Sequence, residues 1–300
     1  MEIWNAFVSL IPVTLVQSLI YAFVALAIML PFRMLNFPDL TSEGSFPLGA
    51  CVCGALMAAG AGPVPALALA MLAGFLAGCS TAWIHQKVKI NTLLCGIIVL
   101  TMLYSINLRV MGQPNVPLFT FQNLFGLVLG GHKDDSWWQA GLLAIAIAMF
   151  CGLLLWFLHT QVGAAMRAVG SSLAMARAQG INVTLYTVVG LGLANGLAAL
   201  SGAVLAQNQG FADVNLGFGV LVNGLAAVIL GETLIGTRTV LRQVLAPVVG
   251  ALVYYQVISA ALAVGLRPSD LKFITGLFVL LTLAIPAIRG GGEAGFRMRE

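Results

Sequence analysis

Residues 36–49 read NFPDLTSEGSFPLG, with two carboxylates, two prolines and two glycines between runs of almost unbroken hydrocarbon. That contrast decides the fold class. The 300-residue chain is 60% hydrophobic and only 8% charged, with a mean hydropathy of +1.00, whereas a soluble domain carries about 25% charged residues. Apolar runs recur at lengths near the ~20 residues needed to span hydrocarbon, and they are continuous rather than alternating, which selects helices over a barrel. The chain is therefore an all-α polytopic membrane protein with one broken or re-entrant segment, at Asn36–Gly49.

Working outward from that segment, the first span covers Ile11 to Leu30. A short apolar helix from Phe46 to Ala61 follows it, and the Gly62-Pro63-Val64-Pro65 turn leads into a span from Ala66 to Ile84. Further spans cover Leu93–Val110, Gln139–Leu158, Val183–Ala206, Phe218–Ile235, Val244–Val264 and Phe273–Ile288, with a long loop from Gly112 to Trp137. Eight to ten crossings fit this pattern and nine fit it best. Residues 1–290 then form one transmembrane domain and 291–300 a polar cytoplasmic tail. The opening residues, MEIWNAFVSLIPVTL, lack a basic leader region and are expected to remain as part of the first span.

Lys and Arg in short loops favour the cytoplasm. With nine crossings and the N-terminus outside, the inner side holds Arg33, Lys87, Lys89, Arg167, Arg177, Arg238, Arg242, Arg289, Arg297 and Arg299. The outer side holds only Arg109, Lys133, Arg267 and Lys272. The C-terminus is expected inside; a re-entrant first segment would bring the count to eight and move the N-terminus inside. The net charge of +4 is read as membrane orientation, since no basic cluster with interleaved aromatics suggests nucleic acid.

Catalytic signatures are missing. The sequence contains no HExxH, no Cys/His cluster, no Gly-x-Ser-x-Gly and no phosphate-binding Gly-x-x-x-x-Gly-Lys-Ser/Thr, so no ATP site of its own is expected. Cys51, Cys53, Cys79, Cys95 and Cys151 all lie in apolar segments and read as small buried apolar residues. Neither a metal nor a cofactor is expected in this chain.

Asp39 and Glu43 support two readings. An ionisable group inside a membrane is a functional candidate, and Asn36, Phe37, Thr41 and Ser42 would join the pair along a solute path. Alternatively the carboxylates brace the fold, with Glu43 near the N-terminus of the helix at Phe46, where the helix dipole favours an anion. Asn91, Asn107, Asn195, Asn208, Asn223 and Gln207 are weaker path candidates. Phe37-Pro38-Asp39 is echoed by Phe211-Ala212-Asp213, each followed by glycines and an apolar helix. In the nine-crossing arrangement those helices run in opposite directions, which is the signature of an inverted repeat.

Residues 163–182, GAAMRAVGSSLAMARAQGIN, form a polar stretch on the inner side. Ser171 and Ser172 can cap a short helix that Gly180 ends. This is either an ordinary interfacial loop or a knob gripped by a cytoplasmic partner.

Three sets of residues, in order, resemble one family. Gly163-x-x-x-Arg167-Ala168 with Met175-Ala176-x-x-x-Gly180-Ile181 is similar to the cytoplasmic coupling segment of ABC-importer permeases of the branched-chain amino-acid, ribose and nucleoside type. Gly196 to Gly202, Gln207 to Gly219 and Gly224 to Gly231 resemble the helix, outer loop and helix that follow it. Leu35-Asn36-Phe37 resembles their Asn-Phe motif, and Leu40-x-x-Glu43-Gly44 with Leu48-Gly49-Ala50 resembles the nucleoside-type pattern. Two departures bear on the solute. Pro38-Asp39-Leu40-Thr41-Ser42-Glu43 stands where amino-acid members usually have Ala-His-Gly-Glu, and Gly231-Glu232-Thr233 stands where relatives usually have a Gly-Gly pair.

The resemblance implies a bacterial inner-membrane importer in which two permease copies pair as a homodimer. Cytoplasmic ATP-binding subunits would supply hydrolysis, with ATP and magnesium in those subunits, and a periplasmic solute-binding protein would deliver the solute. It places Arg167, Ala168, Gly170, Met175, Ala176, Arg177 and Gly180 at the ATPase coupling segment. An amino acid, including an aromatic one, is the first expectation for the solute. The alternatives are a nucleoside-type permease, or a secondary transporter or channel that works without an ATPase and uses Asp39 and Glu43.

Overall fold

The structure is a computed structural model; it describes residues 2–265, together with positions 273, 276, 277 and 280. The expected ninth span, Phe273–Ile288, the tail 291–300 and the basic residues Arg267, Lys272, Arg289, Arg297 and Arg299 lie outside this description.

The described part is almost wholly helical. α1 (Glu2–Met29) continues into a π-helical turn, Leu30–Met34, and α2 (Ser42–Ala58) follows the broken segment. Next come α3 (Pro63–Val88), α4 (Thr92–Met111), β1 (Asn115–Pro117), α5 (Leu124–Leu129) and α6 (Ser136–His159). α7 (Gln161–Ser171) and α8 (Leu173–Ala178) precede α9 (Val183–Gln209), β2 (Phe211–Asp213), α10 (Val220–Ile235) and α11 (Val240–Ala263). Among the described residues seven helical segments are long and apolar enough to cross a membrane. α2, with 17 residues, is about 26 Å long, short of the ~30 Å hydrocarbon core.

α2 begins earlier than the sequence suggests. Its helix starts at Ser42 and takes in Glu43, Gly44 and Pro47, although the proline and glycine argue for an irregular start near Phe46. Pro47 sits in the second turn, where its missing N–H leaves only the carbonyl of Glu43 without its usual helical donor. Gly217 packs directly on that carbonyl.

The two long central helices, α1 and α9, run antiparallel: Ser201 donates to the Ile20 carbonyl, while Gly190 meets Leu35. Each gathers the short and the long helix that follow the other. α2 runs parallel to α9, with Ser45 at Asn195, Gly49 at Ala199 and Cys53 at Gln207. α3 returns antiparallel to α9, with Pro63 by Gln207, Gly78 by Leu191 and Gln86 by Thr184. In the same way α10 runs parallel to α1, with Gly224 beside Val24 and Ile28 and Glu232 paired to Arg33. α11 then packs back along α1, with Tyr255 on Tyr21 and Gln256 near Thr14. This is the packing an inverted repeat requires. Phe37 maps to Phe211 by adding 174 (211 − 37), and the same shift carries α3, 63–88, onto 237–262, where α11 lies.

Small residues permit the close approaches. A Cβ on Gly49 would collide with the Ala199 carbonyl, and one on Gly202 with the Phe46 carbonyl, so α2 and α9 touch backbone to backbone. Cys51, Cys53, Cys95 and Cys151 are buried and Cys79 half-buried, all as free thiols.

The ends of the bundle differ in charge. Arg33, Lys87, Lys89, Arg167, Arg177, Arg238 and Arg242 fall at or near helix ends on one side, the side of α7 and α8. At the opposite end Arg109 and Lys133 flank a small antiparallel ribbon in which Asn115 pairs with Asp213 and Pro117 with Phe211.

Candidate functional site

The site grows out of the end of α1. Pro31 starts a wide turn in which the Leu35 N–H reaches back to the Leu30 carbonyl at 3.3 Å. The chain then leaves the helix through Asn36, whose φ of +50° lies in the left-handed region that asparagine tolerates. The Phe37 N–H is held by the Pro31 carbonyl at 2.8 Å, and the Phe37 ring meets His85 of α3 edge-on. The Asn-Phe pair is thus a backbone exit followed by an anchor.

Asp39 lies at the bottom of the exit and is fully buried. One carboxylate oxygen accepts the Thr41 N–H at 2.9 Å and the other accepts the Asn195 side-chain amide at 2.7 Å. The Asn195 carbonyl oxygen in turn accepts from the Ser45 hydroxyl at 2.8 Å, and the Thr41 and Thr81 hydroxyls meet at 2.9 Å. Asp39, Thr41 and Ser45 of the first half are therefore locked to α3 and α9. The Ser42 hydroxyl is also buried but has no hydrogen-bond partner among the described residues.

Glu43 does something the sequence did not suggest. It stands in the first turn of α2, but its carboxylate accepts the backbone N–H of Gly219 at 2.7 Å, the residue that precedes α10. The N-terminal ends of the two short helices therefore converge on one acid. Both helices start part-way along the long helices beside them, so the meeting point lies inside the bundle rather than at a face. The positive end of α10 is thus directed at an anionic group carried on the first turn of α2, at depth in the bundle.

At the basic end, Arg33 on the π-helical turn forms an ion pair with Glu232 in the last turn of α10. α7 lies against the same turn. Gly170 is seated on the Met34 carbonyl and the Leu35 Cα, with no room for a side chain. Arg167 is half-buried and donates to the Leu158 carbonyl at 3.3 Å. Ala168 is half-buried beside it, on the last turns of α7. Ser172 caps α8 through the Met175 N–H, and Gly180 ends the segment with a φ of +75°. On α8, Ala176 packs inward, while Leu173, Met175 and Arg177 are exposed.

Against known proteins, residues 11–284 match the family described as branched-chain amino acid transport system / permease component. The chain belongs to that family. The permease is 40% identical to a tyrosine transport system permease protein of Clostridioides difficile (strain R20291), over 89% of this chain and 88% of the relative. It is 28% identical to an autoinducer 2 import system permease protein of Salmonella typhi, over 92% of this chain and 78% of the relative. It is 27% identical to the galactofuranose transporter permease protein of Escherichia coli (strain K12), over 54% and 50%. No solved structure matches the chain. The permease is thus a multi-pass inner-membrane subunit of an ABC-type transporter for small solutes.

The other polar candidates of the permease are largely committed to packing. Asn91 caps α4, Asn107 contacts the Gly44 carbonyl at 3.5 Å, Gln207 binds the Leu124 N–H and the Pro63 carbonyl, and Asn208 binds Gln139. Asn223 accepts from the Tyr254 hydroxyl at 3.0 Å. Sequence reasoning passed over Tyr21, Tyr254 and Tyr255, which cluster with Phe46 inside the bundle. Within apolar spans a tyrosine reads as an interfacial anchor. The clue was their depth, about two turns or more from the ends of α1 and α11.

Proposed function

We propose that this permease is the membrane-spanning subunit of an ATP-driven importer for an amino acid with an aromatic side chain. Two copies would pair, a periplasmic binding protein would deliver the solute, and cytoplasmic ATP-binding subunits would supply hydrolysis with their own ATP and magnesium. Residues 1–290 would act as one domain, with α7 and α8 on the cytoplasmic side. The aromatic amino acid follows from the tyrosine permease among the relatives.

The observation that carries the reading is the convergence of two short helices on Glu43, with α7 seated on the broken segment that leads there. Exposed Leu173, Met175 and Arg177 offer an ATPase an apolar and cationic knob. A push on α7 passes through Gly170 to the π-helical turn and through Arg33 to the end of α10. Packed elements shift as rigid bodies, so the far end of α10 would move against Glu43 and open the path beside Asn36–Glu43. In this scheme Glu43 faces the path, and Asp39, Thr41 and Ser42 shape its wall.

The test is uptake of labelled L-tyrosine by vesicles containing the permease with its genomic ATPase and binding protein, compared with L-leucine and adenosine. ATP-dependent tyrosine uptake that vanishes with a hydrolysis-dead ATPase is expected. Uptake that persists without hydrolysis would overturn the importer reading, and preference for adenosine would overturn the solute.

A further inference from the structure

The two acids of the broken segment are used differently. Asp39 is fully buried and gives both carboxylate oxygens to its own subunit, one to the Thr41 N–H and one to the Asn195 amide. Glu43 is half-buried, and one of its oxygens is engaged, by the Gly219 N–H. Among the described residues its other oxygen accepts no hydrogen bond and no cation pairs with it.

Neighbouring contacts fix its depth. Gly44 packs against Leu100 and Leu103, in the middle of the 20-residue α4, and Ser45 binds Asn195, in the middle of the 27-residue α9. Helices of those lengths span the hydrocarbon core, so their middles lie near its centre. An ionisable group at that depth is tolerated against protein or water rather than lipid. Next to Gly219 along the chain, Phe218 and Val222 are exposed. Lipid can cover those two side chains, but not the open side of the acid.

We infer that this surface meets the same surface of the second permease copy, so that two Glu43 carboxylates face one water-filled gap and together take the ammonium group of the solute. In a two-fold pair a patch near the axis meets itself, which sets like against like. Two carboxylates across a low-dielectric gap repel one another, and a positive group between them relieves both. Each acid is already aimed, because the Gly219 N–H fixes one oxygen and leaves the other to accept from an ammonium donor. One copy alone holds half of this site. The pairing and the amino-acid solute rest on the proposed function; the facing acids rest on the open side of Glu43 at mid-depth.

Two measurements keep these claims apart. Glu43→Cys, in the assembled transporter with two differently tagged permease copies, is treated with short and long membrane-permeant bifunctional maleimides. Val222→Cys repeats the test without touching the acid. Wild type, with its five native cysteines, gives the background, and Met149→Cys, exposed at the middle of α6, is the comparison from another face. A covalent permease dimer well above both controls is expected. Complexes that hold two copies but give no such dimer in resting, nucleotide-bound and cycling states would assign the surface to lipid or to residues 273–288 of the same chain, and overturn the inference. Complexes that hold one copy would overturn the proposed pairing as well.

Uptake then tests the ammonium group. Glu43→Gln keeps an acceptor for Gly219 but loses the charge, so tyrosine uptake should fall about tenfold with little change in melting temperature, and Glu43→Asp should recover a large part of it. Wild-type uptake by Glu43→Gln, or a Glu43→Asp variant no more active than Glu43→Gln, would overturn the role of the carboxylates and leave the facing surfaces standing. A wild-type transporter that carries no amino acid would overturn the solute and the ammonium role, and the cross-link would still decide the surface.

Discussion

Glu43 and Gly219, 176 residues apart in sequence, are joined by a 2.7 Å hydrogen bond from the Gly219 N–H to the Glu43 carboxylate. The acid holds the start of α10 against the start of α2. Loss of an acceptor costs about 1–3 kcal/mol for a fully buried N–H, and the part-buried Gly219 N–H falls at the lower end, about 1 kcal/mol. Glu43→Ala is therefore expected to lower thermal stability of the purified subunit by that amount. Glu43→Gln keeps an acceptor oxygen and should lose less than half as much. A Gln variant as unstable as Ala would show that charge, not the hydrogen bond, holds the junction.

Asp39 and Asn195 form the second junction. Asp39→Ala would leave the Thr41 N–H and one of the two Asn195 amide hydrogens without an acceptor in a fully buried site, the other hydrogen staying on the Leu191 carbonyl. A loss of about 1–3 kcal/mol for each orphaned group is expected. Because the two residues share one network, Asp39→Ala and Asn195→Ala should combine to less than the sum of their separate effects. Additive losses in a double-mutant unfolding series would show that they do not act as a unit.

Arg33 and Glu232 tie the first broken segment to the end of α10. Arg33 is one-third exposed and Glu232 one-tenth, so the pair itself should couple by only about 0.2–1 kcal/mol in stability. Its expected importance is mechanical. Arg33→Glu and Glu232→Arg should each depress uptake more than they depress stability, and the double reversal should restore a large part of it. Reversal that restores nothing would leave the pair without a role in transmission.

Much of this was legible in the sequence because hydrocarbon is an unforgiving solvent. The apolar runs located α1, α3, α4, α6, α9, α10 and α11, and Ser172 and Gly180 bounded α8 as their capping chemistry requires. The echo of Phe37-Pro38-Asp39 in Phe211-Ala212-Asp213 marked two breaks whose helices run in opposite directions. The partners were not legible. Nothing local tells Glu43 that its donor is Gly219, or Glu232 that its cation is Arg33, since both contacts depend on how α1 and α9 cross-pair the halves. Pro47 misled for a related reason. Within the second turn it removes one helical bond and leaves the free Glu43 carbonyl against Gly217, so α2 begins four residues before the sequence suggests.

Under the proposed scheme, Gly170 would separate docking from transmission. A side chain there would strike the Met34 carbonyl, forcing α7 away from the π-helical turn. Gly170→Leu is expected to leave α8 and its exposed Leu173, Met175 and Arg177 available, so the ATPase should still copurify while uptake falls about tenfold, the equivalent of about 1.4 kcal/mol. Met175→Asp changes the exposed face of α8 instead, and should weaken ATPase copurification without disturbing the α7 seat. The decisive comparison is the two variants side by side, by affinity capture of the ATPase and by uptake. If Gly170→Leu loses the ATPase as fully as Met175→Asp does, α7 and α8 form a single docking surface. If it retains both ATPase and uptake, force does not pass through the contact between Gly170 and Met34.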